Sequence, residues 1–210
     1  MLGAVKKWGR KLRYEPQYFR QQIGGLFALT LILLASPVWW QFLVGAPVVA
    51  LGAVVRMWAA GHLNKDDELG TKGPYAFMRH PQYFGNSCIA IGLSIASGHL
   101  VGILVYAAIF YIFYRPAIRE EDQKLREKFG EKCREWQEEV PAVVPTLSPA
   151  SNPGLHLRNW SPRQALKNGE PVWTTSLGIG LTIIYLYLPT GKNQVSMMAD
   201  TLDVAHLLGV

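Results

Sequence analysis

The sequence predicts an all-α integral membrane protein with about five transmembrane helices, whose polar connecting segments gather on one side. Half of the 210 residues are hydrophobic, yet the mean hydropathy is only +0.10. This average combines long apolar runs with strongly polar segments, and several runs approach the ~20 residues with which an α-helix crosses a bilayer. Nearly all charged residues lie between the runs, as expected when the runs are buried in lipid.

The composition excludes two other classes of protein. Disordered chains have too few apolar residues to form a core, whereas this chain is 50% hydrophobic. Disulfide-stabilised scaffolds need several cysteine pairs, and this chain has only Cys88, in an apolar run, and Cys133, in a charged one. We therefore interpret residues 1–210 as a single integral membrane domain with a polar face in the reducing cytosol.

Residues 1–22 form a basic segment ahead of the first apolar run. Glu15 is its only acidic residue, and aromatic side chains such as Trp8 and Tyr14 interleave with the basic ones. This pattern is typical of a segment on an anionic membrane surface, and the positive-inside rule places it in the cytosol. Nucleic acid is the alternative partner for a chain with a pI near 9.4, but the adjacent membrane helix favours lipid headgroups. The basic residues are Lys6, Lys7, Arg10, Lys11, Arg13 and Arg20.

Two apolar runs follow and predict the first two transmembrane helices. Residues 23–44 contain no charged residue, and residues 46–61 are interrupted only by Arg56. A turn over residues 44–47, which end in Pro47, is expected to connect the two helices. A cleavable signal peptide is the alternative for the first run, but that run is too long and has no small-residue cleavage site.

The third apolar run, residues 86–114, predicts a helical hairpin. A single helix of about 29 residues would be about 43 Å long, which exceeds one crossing. The Ser97-Gly98-His99 sequence therefore predicts a turn between two short helices. Residues 176–189 form a shorter fifth run ahead of a C-terminal tail. Counting crossings from a cytosolic N-terminus places residues 62–82 and 115–175 together on the cytosolic side.

The first cytosolic segment carries a cluster of polar and aromatic side chains just before the hairpin. Arg79, His80 and Pro81 follow one another, with Tyr75 and Tyr83 on either side. One interpretation is structural, because proline starts helices and aromatic residues anchor them at headgroup level. The other is a site that uses the cation, the imidazole and the phenols at the membrane surface.

The second cytosolic segment predicts one helix over residues 117–139, between two prolines. Glu121 lies within its apolar stripe, whereas Glu120 lies about 100° around the helix. A carboxylate on an apolar face beside a membrane is costly unless it is paired. Glu121 therefore either has a functional role or pairs with Arg79 or Lys124. The stripe consists of Ile118, Leu125, Phe129 and Trp136.

Three motifs surround the hairpin, which would bring the first two to the same membrane face. They read GPY-x₃-RHP-x-Y-x-G from Gly73 to Gly85, EE-x₃-L-x₃-FG from Glu120 to Gly130, and VP-x₃-P from Val140 to Pro145. In order and spacing, the motifs resemble those of the isoprenylcysteine carboxyl methyltransferase and phospholipid methyltransferase-like family of integral membrane proteins. The resemblance covers about residues 54–145.

The resemblance implies a cytosolic site for S-adenosylmethionine (AdoMet), bound without a Rossmann domain and without a metal. A carboxylate suits the ammonium group of AdoMet, a cationic side chain suits its carboxylate, and aromatic faces suit its sulfonium centre. The implied catalytic residues are Arg79, Tyr83 and Glu121. The implied cofactor-binding residues are Gly73, Pro74, Tyr75, Arg79, His80, Tyr83, Glu120 and Glu121.

A second family shares part of this pattern. Membrane sterol reductases, which use NADPH, read RHPNY-x-GD and carry Arg-Asp in place of the Glu120-Glu121 pair. Here Gln82 and Asn86 depart from that pattern, and the acidic pair is intact. The sequence therefore favours methyl transfer, with a sterol-type reductase or a non-enzymatic membrane protein as the alternatives.

The methyl acceptor is expected to be lipid-like or small and amphiphilic, such as a prenylcysteine or phosphatidylethanolamine, because the site adjoins lipid. A small thiol or amine stays an open alternative. Residues 146–175 are predicted to form a cytosolic loop with a short helix near residues 162–168, which either lines the acceptor entrance or forms a solvated linker with a tryptophan anchor. The candidate entrance residues are His62, Asn64, His156, Arg158, Trp160, Arg163, Gln164 and Glu170.

Overall fold

The computed structural model describes residues 19–63, 69–147 and 160–188, which form helices joined by turns, with no β-strand among them. This arrangement confirms the all-α class. A 3₁₀ turn precedes α3, and a π-helical segment joins α4 to α5. The helices are α1 (Arg20–Leu33), α2 (Trp39–His62), α3 (Pro81–Ala96), α4 (Val101–Ile109), α5 (Arg115–Phe129), α6 (Glu131–Glu139), α7 (Pro162–Lys167) and α8 (Glu170–Leu186).

Two helices of the described chain are long and apolar enough to cross a membrane. They are α2 and the continuous helix Val101–Phe129, which combines α4, the π segment and α5. The other apolar helices, α1, α3 and α8, have 14, 16 and 17 residues. The described chain therefore contains two helices of spanning length, and the five crossings expected from the sequence stay a prediction.

The first connection differs from the prediction. The turn lies between Leu33, where α1 ends, and Trp39, where α2 begins, and not at residues 44–47. Ser36 donates its backbone N–H to the Ser97 carbonyl at 2.9 Å, so this turn is tied to the turn of the hairpin. Pro47 lies inside α2. Its missing N–H costs one helical hydrogen bond, and close packing against α3 keeps the helix continuous through it.

Glycines at two levels allow α2 and α3 to pack closely. A Cβ atom at Gly92 would lie 2.8 Å from the Gly45 carbonyl oxygen, and one at Gly52 would lie 2.6 Å from the Gly85 carbonyl oxygen. Gly45 and Gly52 are seven residues apart on α2, and Gly85 and Gly92 are seven apart on α3 in the opposite order. The two helices are therefore antiparallel, with the small-residue contacts typical of helix pairs in membranes.

The predicted hairpin turn is confirmed. The α3 helix ends at Ala96, and α4 begins at Val101. Gly98 has a φ of +85°, a left-handed conformation that glycine adopts without steric cost. The two helices then run back side by side, with a 3.1 Å hydrogen bond between the hydroxyls of Ser87 and Tyr106.

The single helix predicted for residues 117–139 is two helices. Gly130, with a φ of +59°, separates α5 from α6 and lets α6 fold back. The Trp136 indole N–H then donates to the Tyr75 carbonyl at 3.3 Å. The predicted stripe is divided accordingly, because Ile118 packs near Tyr83 and Tyr114, whereas the other three residues pack around Tyr75. Burial of the α6 apolar face against the 3₁₀ turn is the physical reason for the break.

The segment around α7 caps the C-terminal end of α2. The predicted short helix is confirmed as Pro162–Lys167. Trp160 Nε1 donates to the Met57 carbonyl at 3.2 Å, and Gln164 Nε2 donates to the Leu63 carbonyl at 2.8 Å. Asn168 Nδ2 donates to another carbonyl of this helix end at 2.8 Å. Gln164 and Asn168 thus bind carbonyl groups that the helix end leaves without intrahelical partners, whereas Trp160 binds a carbonyl one turn earlier.

Candidate active site

A cavity of about 540 Å³ collects side chains from helices that are distant in the sequence. Its polar lining comes from five helices and includes Arg20 of α1, Arg56 of α2, Tyr83 of α3, Glu121 of α5 and Glu170 of α8. Its volume is typical of sites that bind small molecules or cofactors. The RHP motif and the acidic motif, which the sequence separates by about 40 residues, thus contribute to one cavity.

The Glu121 carboxylate is at the centre of the polar cluster in this cavity. The Tyr83 hydroxyl donates to Glu121 Oε1 at 2.7 Å, and Arg20 Nη2 donates to the same oxygen at 3.1 Å. The Arg20 guanidinium also lies 5.9 Å from the centre of the Tyr83 ring. The Arg20 backbone is held in place because the Tyr114 hydroxyl donates to the Arg20 carbonyl at 3.2 Å. The Glu121 side chain stays 39% exposed, so it is accessible to a ligand.

Asp122, the residue after Glu121, is buried and contacts both Arg79 and His80 of the RHP motif. Its Oδ1 lies 2.9 Å from His80 Nε2, and its Oδ2 lies 3.1 Å from Arg79 Nη2. His80 Nδ1 lies 3.5 Å from Glu121 Oε2. Burial lowers the pKa of His80, but hydrogen bonds to Asp122 and Glu121 outweigh it, so this pKa is raised above its ordinary value of 6.5. The arrangement stabilises the imidazolium form.

The third motif holds the backbone of the RHP motif. The Arg79 N–H donates to the Pro141 carbonyl at 2.9 Å, and the His80 N–H donates to the Ala142 carbonyl at 2.8 Å. The Thr146 N–H donates to the Phe77 carbonyl at 2.9 Å. The backbone of the VP-x₃-P segment therefore fixes the position from which Arg79 and His80 reach the cavity.

The purely structural interpretation of Glu121 predicted an ion pair with Arg79 or Lys124, whereas its observed arginine partner is Arg20. Arg79 pairs with Asp122, and Lys124 pairs with Glu120 at 2.5 Å, one turn along α5. Arg79 Nε is buried and has no hydrogen-bond partner among the described residues. A cavity-lining guanidinium with a spare donor can bind an anionic group.

The predicted cofactor residues divide into a lining group and a supporting group. Gly73 and Pro74 are buried in the 3₁₀ turn that carries Tyr75 and do not line the cavity. The His62 ring packs against Gly73, where a Cβ atom would lie 2.7 Å from it. Glu120 also lies outside the lining. The residues that line the cavity are Tyr75, Arg79, His80, Tyr83 and Glu121.

The predicted entrance residues divide in the same way. Glu170 lines the cavity, whereas Trp160, Gln164, Arg163 and His62 do not. Trp160 and Gln164 instead cap α2, as described above. The remaining three, Asn64, His156 and Arg158, lie outside the described residues.

A second polar group in the cavity joins Arg56, Glu170 and Asn86, and the sequence did not predict it. Arg56 Nη2 lies 2.7 Å from Glu170 Oε1, Arg56 Nε donates to Glu170 Oε2 at 3.2 Å, and Arg56 Nη1 donates to Asn86 Oδ1. An arginine inside an otherwise apolar run was the available signal, because charged residues within membrane helices usually mark a site. Its partner lies 114 residues away, a pairing that no local pattern indicates.

Comparison with known proteins connects this geometry to a family. The model of the phospholipid methyltransferase family matches residues 40–132. The protein-S-isoprenylcysteine O-methyltransferase of Schizosaccharomyces pombe is 30% identical over 107 residues, which are 51% of this chain and 45% of that protein. The human protein-S-isoprenylcysteine O-methyltransferase is 29% identical over 120 residues, 51% of this chain and 42% of that protein. No solved structure gives a significant match.

A bacterial relative matches over a longer stretch. The cobalt-zinc-cadmium resistance protein CzcN of Cupriavidus metallidurans is 30% identical over 169 residues, which are 77% of this chain and 67% of that protein. Within the described parts of this chain, no group of three or more His, Cys, Asp or Glu side chains is placed to hold a metal ion. The chain spans about half the length of the eukaryotic relatives reported above, and two thirds of the bacterial one. From the matched region and these relatives, the chain belongs to the isoprenylcysteine carboxyl methyltransferase and phospholipid methyltransferase-like family.

Proposed function

We propose that this protein transfers a methyl group from AdoMet to a lipid-like or small amphiphilic acceptor at the cytosolic face of a membrane. Membership of a methyltransferase family supports the reaction class. The observation that carries the proposal is the convergence of two motifs on one cavity. Tyr83 and His80, from the RHP-x-Y motif, both contact Glu121 of the acidic motif across the α3–α4 hairpin.

The cavity residues fit the functional groups of AdoMet. Glu121 is a partly exposed carboxylate that would meet the ammonium group, because a charge-assisted hydrogen bond there is strong. Arg79 has a spare buried donor and would meet the carboxylate. Apolar and aromatic side chains, including Tyr75, Trp136 and Phe129, would flank the adenine.

The chemistry that bound AdoMet supplies is an electrophilic methyl group, and the protein's own residues contribute position and a suitable electrostatic environment. Asp122 fixes the orientations of Arg79 and His80 through its two carboxylate oxygens. The Tyr83 hydroxyl fixes Glu121 Oε1.

The apolar part of the cavity supports an amphiphilic acceptor. This part lies away from the polar cluster and is lined by Phe27 of α1, Ala90 and Leu93 of α3, and Leu177 of α8. The outer faces of the helices are also apolar, with Leu29 51% and Ile179 58% exposed. A bundle with such faces lies in lipid, so an acceptor can enter from the membrane between the helices. The absence of basic residues from the short connections at 34–38 and 97–100 supports a cytosolic site at the opposite end.

Product analysis tests the proposal. Detergent-solubilised protein is incubated with methyl-labelled AdoMet and a membrane lipid extract, and an Arg79→Ala variant serves as the control. We expect label in the organic phase with the wild type and a loss of at least about tenfold with the variant. Label that stays in the aqueous phase, together with a melting temperature raised by NADPH and not by AdoMet, would instead support the reductase alternative.

A further inference from the structure

The ion pair between Arg56 and Glu170 is buried inside the helical bundle. The Arg56 side chain is 12% exposed, and the Glu170 side chain is 3% exposed. Glu170 occupies both of its oxygens with one guanidinium, at 2.7 and 3.2 Å. The pair therefore has no net charge and presents a fixed guanidinium edge to the cavity that both residues line.

A contribution to folding stability does not by itself explain why this ion pair is present. Transferring two charges out of water costs about as much as their attraction returns, and apolar replacements are often equally stable. Glu170 also lies outside the region matched by the family model, which ends at residue 132. Helix α8 thus adds to the cavity a carboxylate that holds Arg56, and Arg56 in turn contacts the third member of the group, Asn86.

Arg56 determines how the Asn86 amide is turned. A guanidinium has only donors, so the Asn86 oxygen must face it, as observed for Arg56 Nη1 and Asn86 Oδ1. The Asn86 NH₂ group then points away from Arg56 and donates to no side chain or backbone group among the described residues. Asn86 is half-buried and lines the cavity. The pair therefore presents an amide donor to whatever enters.

The position of Asn86 on α3 relates it to the reacting end of the cavity. Asn86 follows Tyr83 by three residues, so both lie on the same face of the helix, about 4.5 Å apart along its axis. Ala90 and Leu93 continue this face and line the cavity beyond Asn86. Along α3 the cavity thus passes from the polar cluster at Tyr83 to a single amide donor and then to apolar walls.

We propose that Asn86, held by the Arg56–Glu170 pair, determines acceptor specificity by donating a hydrogen bond to a carbonyl or carboxylate oxygen in the acceptor's head. The apolar part of the acceptor lies against Ala90 and Leu93. This inference rests on the proposed function, because it assigns the acceptor end of the same cavity. Arg56 and Glu170 are positioning residues that act through Asn86.

Binding of matched amphiphiles tests the inference without requiring turnover. The protein is placed in lipid nanodiscs, and dissociation constants are measured for three probes with the same chain: N-dodecylacetamide, dodecanoate and dodecane-1-thiol. The first two carry an oxygen acceptor, neutral and anionic respectively, and the thiol carries none. We expect the wild type to bind at least one oxygen-bearing probe about tenfold more tightly than the thiol, and the identity of that probe separates a carbonyl from a carboxylate.

Two variants remove the proposed donor in different ways. Asn86→Leu deletes it without adding charge, and Asn86→Asp replaces it with an acceptor oxygen while keeping an oxygen for Arg56. We expect each to abolish the preference for the oxygen-bearing probe, a change of about tenfold, and to leave thiol binding within about threefold. Gln82→Leu is the matched control, because Gln82 is a second amide on α3 that lines the cavity at its polar end.

The outcomes separate this inference from the proposed function. A wild type without preference, a preference that survives both Asn86 variants, or an equal loss in Gln82→Leu would overturn the inference. Arg56→Lys should reduce the preference as well, because lysine cannot bind Glu170 at two points and Asn86 at a third. AdoMet binding is measured in parallel by melting temperature, and its absence would contradict the proposed function while leaving the probe result interpretable.

Discussion

The Tyr83 hydroxyl donates a 2.7 Å hydrogen bond to Glu121 Oε1 across 38 residues of sequence. Tyr83 lies in the first turn of α3, just after the RHP motif, and Glu121 lies in the second turn of α5. The hairpin of α3 and α4 returns the chain to the same end of the bundle, which makes this contact possible. The hydrogen bond is therefore the direct physical link between the two motifs on which the proposed site depends.

Neutralising Asp122 should destabilise the protein strongly. Asp122 is buried and forms ion pairs with Arg79 and His80, so Asp122→Asn would leave these cationic groups without their counter-charge. Breaking a buried pair costs about 3–5 kcal/mol, and we expect the melting temperature to fall by about 6–20 °C. The control is Glu138→Gln, which removes an exposed partner of Arg134 in α6. Equal melting temperatures for the two variants would show that the Asp122 cluster is not structurally important.

The stability contributed by His80 should depend on pH in a defined direction. Its pKa is raised above 6.5 because hydrogen bonds to Asp122 and Glu121 outweigh burial. The folded protein therefore favours the imidazolium. Its contribution is fully present below about pH 6.5 and is lost as the pH rises through the raised folded-state pKa. We expect the melting-temperature difference between wild type and His80→Gln to be larger at pH 5.5 than at pH 8.5. A difference that grows with pH would mean that His80 is held in its neutral form.

The contact between α2 and α3 should not tolerate added methyl groups. At Gly92 a Cβ atom would lie 2.7 Å from the Val49 backbone nitrogen and 2.8 Å from the Gly45 oxygen. Since these are backbone atoms, Gly92→Ala must separate the helices, at a cost of about 1–3 kcal/mol. Gly178 in α8 has no atom within 4 Å of such a Cβ, and Gly178→Ala should stabilise its helix by about 0.5–1 kcal/mol. Opposite shifts in melting temperature are therefore expected, and shifts of the same sign would contradict the packing described.

The two polar segments should lie on the same side of the membrane. In a variant with Cys88 and Cys133 replaced, single cysteines are introduced at Lys72 and Gln123, which are both exposed. We expect a membrane-impermeant thiol reagent to label both only from the cytosolic side, because the basic N-terminal segment favours that orientation. Labelling of the two positions from opposite sides would exclude a single composite site.

Single residues predicted those turns and helix starts whose backbone conformation depends on the residue itself. Glycine at position 98 marked the hairpin turn, and Pro162 marked the start of α7, because both conformations depend on the residue itself. The turn predicted at Pro47 was wrong. Proline favours a turn locally, but tertiary packing of α2 against α3 at Gly45 keeps α2 continuous. The break at Gly130 was also missed, because only the burial of Trp136 against Tyr75 shows that the chain must fold back there.

Most of the candidate site could be predicted where motifs brought its residues together, and Glu170 was the one predicted entrance residue outside the motifs that lines the cavity. The sequence pattern identified Glu121, His80 and Tyr83, which the structure places in contact. Arg20 and Glu170 lie outside the motifs. Arg20 pairs with Glu121 and Glu170 pairs with Arg56, and each pair joins helices that are distant in the sequence. Such long-range ion pairs follow from topology, which periodicity and spacing do not encode.

The most direct test of the site is to compare Glu121→Gln with Glu120→Gln in AdoMet binding by calorimetry. Glu121 lines the cavity, whereas Glu120 does not line it and pairs with Lys124 at the cavity edge. A hydrogen bond from a charged ligand group is worth about 1.5–3 kcal/mol, so we expect Glu121→Gln to weaken binding about 10- to 150-fold. Glu120→Gln loses an i,i+4 pair worth about 0.3–0.5 kcal/mol and should change binding less than about threefold. A larger loss with Glu120→Gln, or no loss with either, would contradict the placement of the cofactor in this cavity.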